Sequence, residues 1–320
     1  MLSCLYPIGH RQAGRQGLLT KLLKSRKLEV YSRRRKDSRN ANCLIRGERR
    51  LQYDLRYVNH VITRRGAIFI YMQLKDDFIR LWSKYFKDAP LPLAFYYTDQ
   101  SPVPPAESKC IIASLAKARQ GSTVVFSAES VHCFGGSSYL GFSGIIGEAF
   151  SDEEPYSYRE YLLSHGIPGK IEGELYKKDP AICKEMYRRM PEFKAPAPYC
   201  VFKRWDMLEE EDQPDVVVFF AKPDVLSGLY YLANYDTVDA NEVIVPWGSG
   251  CSSIIKDPYL EKDAANPRAV IGMFDVSARP FVASDELTFA VPMKKFIEMV
   301  KSMEESFLTT RSWRIVQKRI

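Results

Sequence analysis

Pro214-Asp215-Val216-Val217-Val218-Phe219-Phe220-Ala221-Lys222-Pro223 is the stretch on which the fold turns. Val216–Phe220 is an unbroken apolar run of β-branched and aromatic side chains. It is too short for a helix, and it lacks the alternation of a strand with one wet face. The pattern predicts a strand buried on both faces. Pro223-Asp224 then opens a helix through about Asn234, with Val225, Leu226, Leu229, Leu232 and Ala233 on its inner side. Glu242–Val245 reads as a second strand, ended by Pro246, and the loop Trp247-Gly248-Ser249-Gly250-Cys251 follows.

The same order occurs earlier in the chain. Leu93–Tyr97 reads as a strand, Ser108–Arg119 as a helix and Thr123–Ser127 as a strand, followed by a loop that carries Cys133, Gly135 and Gly136. Cys133 lies 40 residues after Leu93 and Cys251 lies 35 after Val216. A Tyr-Leu pair follows each cysteine, Tyr139-Leu140 and Tyr259-Leu260. We therefore read two weakly similar β-α-β halves, with right-handed crossovers and a pseudo-twofold relation. Residues 151–198 are an inserted helical excursion, with short helical patterns at Tyr156–Leu163 and Pro180–Met190. Tyr199–Arg204 is a strand expected to pair with Val216–Phe220 across the acidic turn Glu209–Asp212. Ala269–Phe274 and Leu287–Val291 are strands, Met293–Phe307 is an amphipathic C-terminal helix, and 309–320 is a basic tail expected to fray. The predicted fold class is α/β, a mixed sheet built from these two halves.

Charge divides the chain sharply. Of its 46 Lys and Arg, 17 precede Met72, against only 4 of its 39 Asp and Glu. The remaining 29 basic and 35 acidic side chains leave residues 72–320 mildly acidic, so no nucleic-acid partner is expected for them. Residues 1–71, with the run Arg33-Arg34-Arg35-Lys36, have no sustained apolar period. They read as a basic leader, disordered or upstream of the natural start. From Met72 a helical pattern begins, with Leu74, Phe78, Leu81, Trp82, Tyr85 and Phe86 on one face. Residues 72–308 are expected to form a single α/β domain. A hydrophobic content of 46% with 27% charged residues excludes a disordered or fibrous chain. No apolar stretch approaches the roughly 20 residues of a membrane span, so no membrane partner is expected.

Cys133 and Cys251 are the strongest site candidates, because each follows a strand at the end where α/β proteins place ligands. Two thiolates across one cleft could share a metal ion or act on a small molecule. His132 could ligate with Cys133 or lower its thiol pKa, although neighbours on extended chain point to opposite faces. Gly135, Gly136 and Gly250 could bring backbone N–H groups close to a phosphate, and Gly135 and Gly250 are expected to resist valine, because a Cβ branch would crowd the loop and penalise positive φ. Asp275 and Arg279 stand at the expected rim, Arg279 as an anion-binding fork or as the ion-pair partner of Asp275. Cys110, Cys183 and Cys200 read as structural. No C-x-x-C pair, P-loop, dinucleotide fingerprint, nucleophile elbow or H-E-x-x-H motif is present.

The run from Lys109-Cys110 to Gly141 is similar to the family known as domain of unknown function 169, in particular at Cys133-Phe-Gly-Gly136 and Tyr139-Leu-Gly-Phe142. The resemblance extends to Pro214–Pro223, to Gly250-Cys251 and to Asp285-Glu286-Leu287 with Val291-Pro292. It spans residues 72–308 in order. It implies a prokaryotic cytoplasmic protein with cysteine-bearing loops, and it carries no activity. Where many members have a Gly- or Cys-containing loop, this chain has Met273–Arg279, so no third thiol ligand is expected there.

Two functions follow. In the first, Cys133 and Cys251 hold a metal ion or perform thiol chemistry on a small ligand. In the second, the domain is a non-catalytic binding module in which glycine loops and Arg279 hold an anionic metabolite. The residues assign neither a reaction nor an oligomeric state.

Overall fold

The computed structural model describes residues 64–320, with side chains from Met72 onward. Helix α1 (Arg64–Phe86) begins upstream of the expected Met72, and the rest of the basic leader lies outside the described residues. Then come β1 (Leu93–Thr98), α2 (Ile111–Arg119), β2 (Val124–Phe126) and α3 (Phe134–Tyr139). The excursion holds α4 (Tyr158–Leu162), a small hairpin of β3 (Gly166–Ile167) and β4 (Ile171–Glu172), and α5 (Pro180–Arg189). Beyond the excursion lie β5 (Tyr199–Arg204), β6 (Val216–Ala221), α6 (Pro223–Ala233) and β7 (Val243–Ile244). It continues through a π-helical turn at Ser252–Lys256 into α7 (Asp257–Glu261). β8 (Ala269–Gly272), β9 (Leu287–Pro292), α8 (Met293–Ser302) and α9 (Arg311–Val316) complete the order. No helix among the described residues is long and apolar enough to cross a membrane.

Seven strands form one mixed sheet in the order β2-β5-β1-β6-β9-β8-β7. Every neighbouring pair is antiparallel except β7 with β8. The apolar run of β6 occupies the central position, with Val218 paired to Leu93 on one side and to Ala290 on the other. All six residues of β6 are buried, as expected for a strand covered on both faces.

One expected pairing is corrected. β5 does not pair with β6; it lies between β1 and β2, so β1 separates the two. The acidic connection is not a tight hairpin, because its carboxylates are drawn onto β5. Buried Lys203 bonds Asp212 at 2.9 Å and Glu209 at 2.8 Å, and Tyr96 of β1 donates to Asp212. The chain is thereby carried across the end of β1, where Asp215 N–H donates to the Phe95 carbonyl.

Alternate β6 side chains divide the core in two. Val217, Phe219 and Ala221 face α1, α6 and α8 and pack on Phe78, Trp82, Phe86 and Phe296. Val216, Val218 and Phe220 face α2 and the π-turn helix and pack with Ile111, Leu115, Ile254 and Ile255. Each such side chain contributes about 1.5–3 kcal/mol when fully buried. The crossover helices α2 and α6 thus lie on opposite faces. A twofold axis normal to the sheet would have placed both on one face.

The expected frayed tail is also corrected. Thr310 caps α9 by accepting the Trp313 N–H, and Trp313 is buried between Phe86 and Phe307. Its indole N–H donates to the Tyr85 carbonyl at 3.0 Å. One bulky side chain secures a segment whose charge pattern suggested a loose end.

Candidate functional site

Residues of α2, α3 and the excursion, with the segments 245–253 and 272–278, border a cavity of about 600 Å³. Cys110, Cys133 and Cys251 all border it, together with Gly135, Gly136 and Asp275. Its outer wall is aromatic, with Tyr139, Tyr158, Tyr187, Trp247 and Phe274. Lys177 lies over the Trp247 ring, 3.7 Å from its centre.

Both cysteines stand at helix starts rather than in open loops. Cys133 caps α3, its Sγ accepting the Gly136 N–H at 3.3 Å. Cys251 lies in helical conformation immediately before the π turn. Cys110 caps α2 with its backbone only and is half-buried rather than a core residue. Burial pushes the Cys251 thiol well above its ordinary pKa, and the neighbouring Cys133 and Cys110 thiols add to that effect. The thiol is therefore held in its protonated, weakly nucleophilic form. Among the described residues, no group of three or more His, Cys, Asp and Glu side chains is placed to hold a metal ion. A structural zinc site needs about four such ligands and a catalytic one about three.

Asp275 has a local structural task. Its carboxylate accepts the Gly250 N–H at 3.0 Å and both the N–H and hydroxyl of Ser277. This ties the Met273–Ala278 loop to the start of the Cys251 helix. The Gly250 and Gly136 amides are therefore already engaged and do not form the expected phosphate cradle. Neither Gly135 nor Gly250 has positive φ. At Gly250 the expected crowding holds by itself: a Cβ there would sit 3.0 Å from the Ala278 Cβ and 3.1 Å from the Met273 sulfur. At Gly135 the nearest such contact is Tyr139 at 4.0 Å, so that position has room.

Two expected site residues do not reach the cavity. His132 is exposed and bonds Glu107, and it does not border the cavity that Cys133 lines. Arg279 gives its guanidinium to the carbonyls of Ala283, Ser284 and Glu286. It forms neither an anion fork at the cavity nor an ion pair with Asp275. The expected fork failed because the fourteen-residue connection between β8 and β9 must satisfy its own backbone, and Arg279 is the donor that does so.

The cation that does border the cavity is Arg159, at the start of α4. Ser157 and Glu160 form a capping box that begins this helix and aims Arg159 inward. Its guanidinium donates to the carbonyls of Phe134 and Ile145, each at 2.9 Å, and to the Ser138 hydroxyl, and it stacks on the Phe134 ring. It is only 6% exposed. No carboxylate among the described residues pairs with it, and its Nε–H is buried without an acceptor. Burial lowers its pKa, although a guanidinium remains charged at any physiological pH. Sequence reading missed Arg159. The capping signal Ser-x-x-Glu was legible, but nothing local indicates that the third residue of the motif is buried.

A family model for domain of unknown function 169, described as uncharacterised ArCR, matches residues 86–302. The chain belongs to this family. The matched ArCR region runs from the end of α1 to the end of α8 and contains every cavity residue named above. It stops before α9. No curated protein and no solved structure matches the chain.

Proposed function

We propose that this ArCR domain is a binding module for a small molecule with an anionic group and an apolar or aromatic body. The observation that carries the reading is Arg159: a buried guanidinium with no counter-charge and one unsatisfied N–H, bordering an aromatic cavity. A buried unpaired cation is costly, and a bound carboxylate or phosphate would supply both the missing charge and the missing acceptor. The aromatic wall would cover the rest of such a ligand. Arg159 takes the place that sequence reading gave to Arg279. The thiols then serve as small, soft lining groups, with Cys251 protonated. The competing thiol or metal chemistry at Cys133 and Cys251 has their convergence on one cavity in its favour and lacks a third ligand. A cytoplasmic location accords with the five free thiols among the described residues.

A thermal-shift screen of carboxylate- and phosphate-bearing metabolites tests the proposal. Stabilisation is expected to survive Cys133→Ser and Cys251→Ser and to vanish in Arg159→Met, provided the variant still melts cooperatively. Stoichiometric metal in anaerobically purified protein, lost in both serine variants, would overturn it in favour of the metal reading.

A further inference from the structure

A second cavity, of about 530 Å³, is bordered by Ser138 and by the segments 141–146 and 187–194. It shares Tyr187 with the first and is bordered by Lys256, Arg188 and Lys194 against a single carboxylate, Glu192. Lys256 is the unusual member. Its side chain is only 3% exposed, and its ammonium forms no hydrogen bond or ion pair with any described residue. The neighbouring Asp257 carboxylate is engaged by the Ser252 hydroxyl at 3.0 Å instead.

The backbone explains why a lysine is held there. Pro258 has no N–H to give to the Ile254 carbonyl, and its ring would crowd that oxygen in a regular α turn. The helix widens, and the Asp257 N–H bonds the Ser252 carbonyl five residues back. Lys256 ends this π turn with its side chain against the cavity. Single π turns inserted in α-helices are often found at functional sites.

We propose that this second cavity is an oxyanion site, anchored by the Lys256 ammonium, that takes the phosphate or carboxylate group of a small molecule. The ammonium borders the cavity without a carboxylate or carbonyl partner, and a bound anion would pair with it; with Arg188 and Lys194 at its rim the cavity carries more positive than negative charge. Burial lowers the Lys256 pKa, with only a partial offset from Asp257, which is the direction expected when the counter-ion is missing. The site stands on observations separate from those at Arg159 and can hold or fail independently.

The test uses the full chain with inorganic phosphate and acetate at constant ionic strength. Phosphate, acetate or both should raise the melting temperature saturably. The more effective of the two identifies which group the site takes. The rise should be lost in Lys256→Met and retained in Arg159→Met and in the surface control Lys262→Met. Peptide mapping after limited acetylation provides a readout that needs no variant. The effective anion should slow modification of Lys256 several-fold while leaving Lys262 unchanged. Equal anion responses in the wild type and Lys256→Met, or a Lys256 acetylation rate indifferent to both anions, would overturn the proposal. If Lys256→Met does not fold, the acetylation result decides.

Discussion

Trp313→Ala should destabilise the whole domain, although the residue lies outside the region that matches the family and within a segment whose sequence suggested fraying. The indole is 3% exposed. It packs at 5.2 Å from the Phe86 ring and 5.4 Å from the Phe307 ring. A Cβ added at Gly228 would lie only 2.5 Å from the Trp313 ring, so α6 is notched by a glycine to receive it. Truncating a buried tryptophan costs about 3–5 kcal/mol. The Tyr85 carbonyl would also lose a donor worth about 1 kcal/mol unless water reaches it. For a domain of this size each kcal/mol moves the melting temperature by about 2–4 °C. The expected fall is therefore about 6–24 °C, read by differential scanning calorimetry of the full chain, and truncation after Leu308 should reproduce it. A fall of less than about 2 °C would refute the reasoning and show that α9 sits on the domain without supporting it.

Gly250→Val should cost far more stability than Gly135→Val, because a Cβ at 250 meets Ala278 and Met273 whereas the space at 135 is open. Denaturant midpoints of the two variants compare them directly, and equal losses would contradict the packing argument. Asp215 supplies a pH dependence: burial raises its pKa to about 6. The folded state then holds a proton that the unfolded state releases nearer pH 4, so this residue makes stability fall as pH rises from about 4 to about 6. Asp215→Asn should flatten that fall and raise the urea midpoint at pH 7 relative to wild type. An unchanged midpoint at pH 7 would show that the carboxyl is solvated.

The elements whose signal is local were legible in the residues without the fold. Val216–Phe220 announces a central strand through its unbroken apolar run, and Pro223 with the Val225–Ala233 stripe announces the helix beside it. In each case the period of the side chains must match the period of the backbone that buries them. The sequence also placed Cys133 and Cys251 at the ends of comparable segments. Strand neighbours were another matter. Nothing within Tyr199–Arg204 reveals that β1 will intervene between it and Val216–Phe220; the attraction of Lys203 for Asp212 and Glu209 operates only once the sheet exists. The same holds for the cations. Arg279 is the anion ligand the sequence suggests and Arg159 is not, because a guanidinium's availability depends on which carbonyls and carboxylates the fold brings within about 3 Å of it. Tertiary structure gave Arg279 a set of backbone carbonyls and left Arg159 and Lys256 buried beside cavities without a counter-charge. Desolvation and pairing are properties of the assembled environment, and only the folded chain decides them.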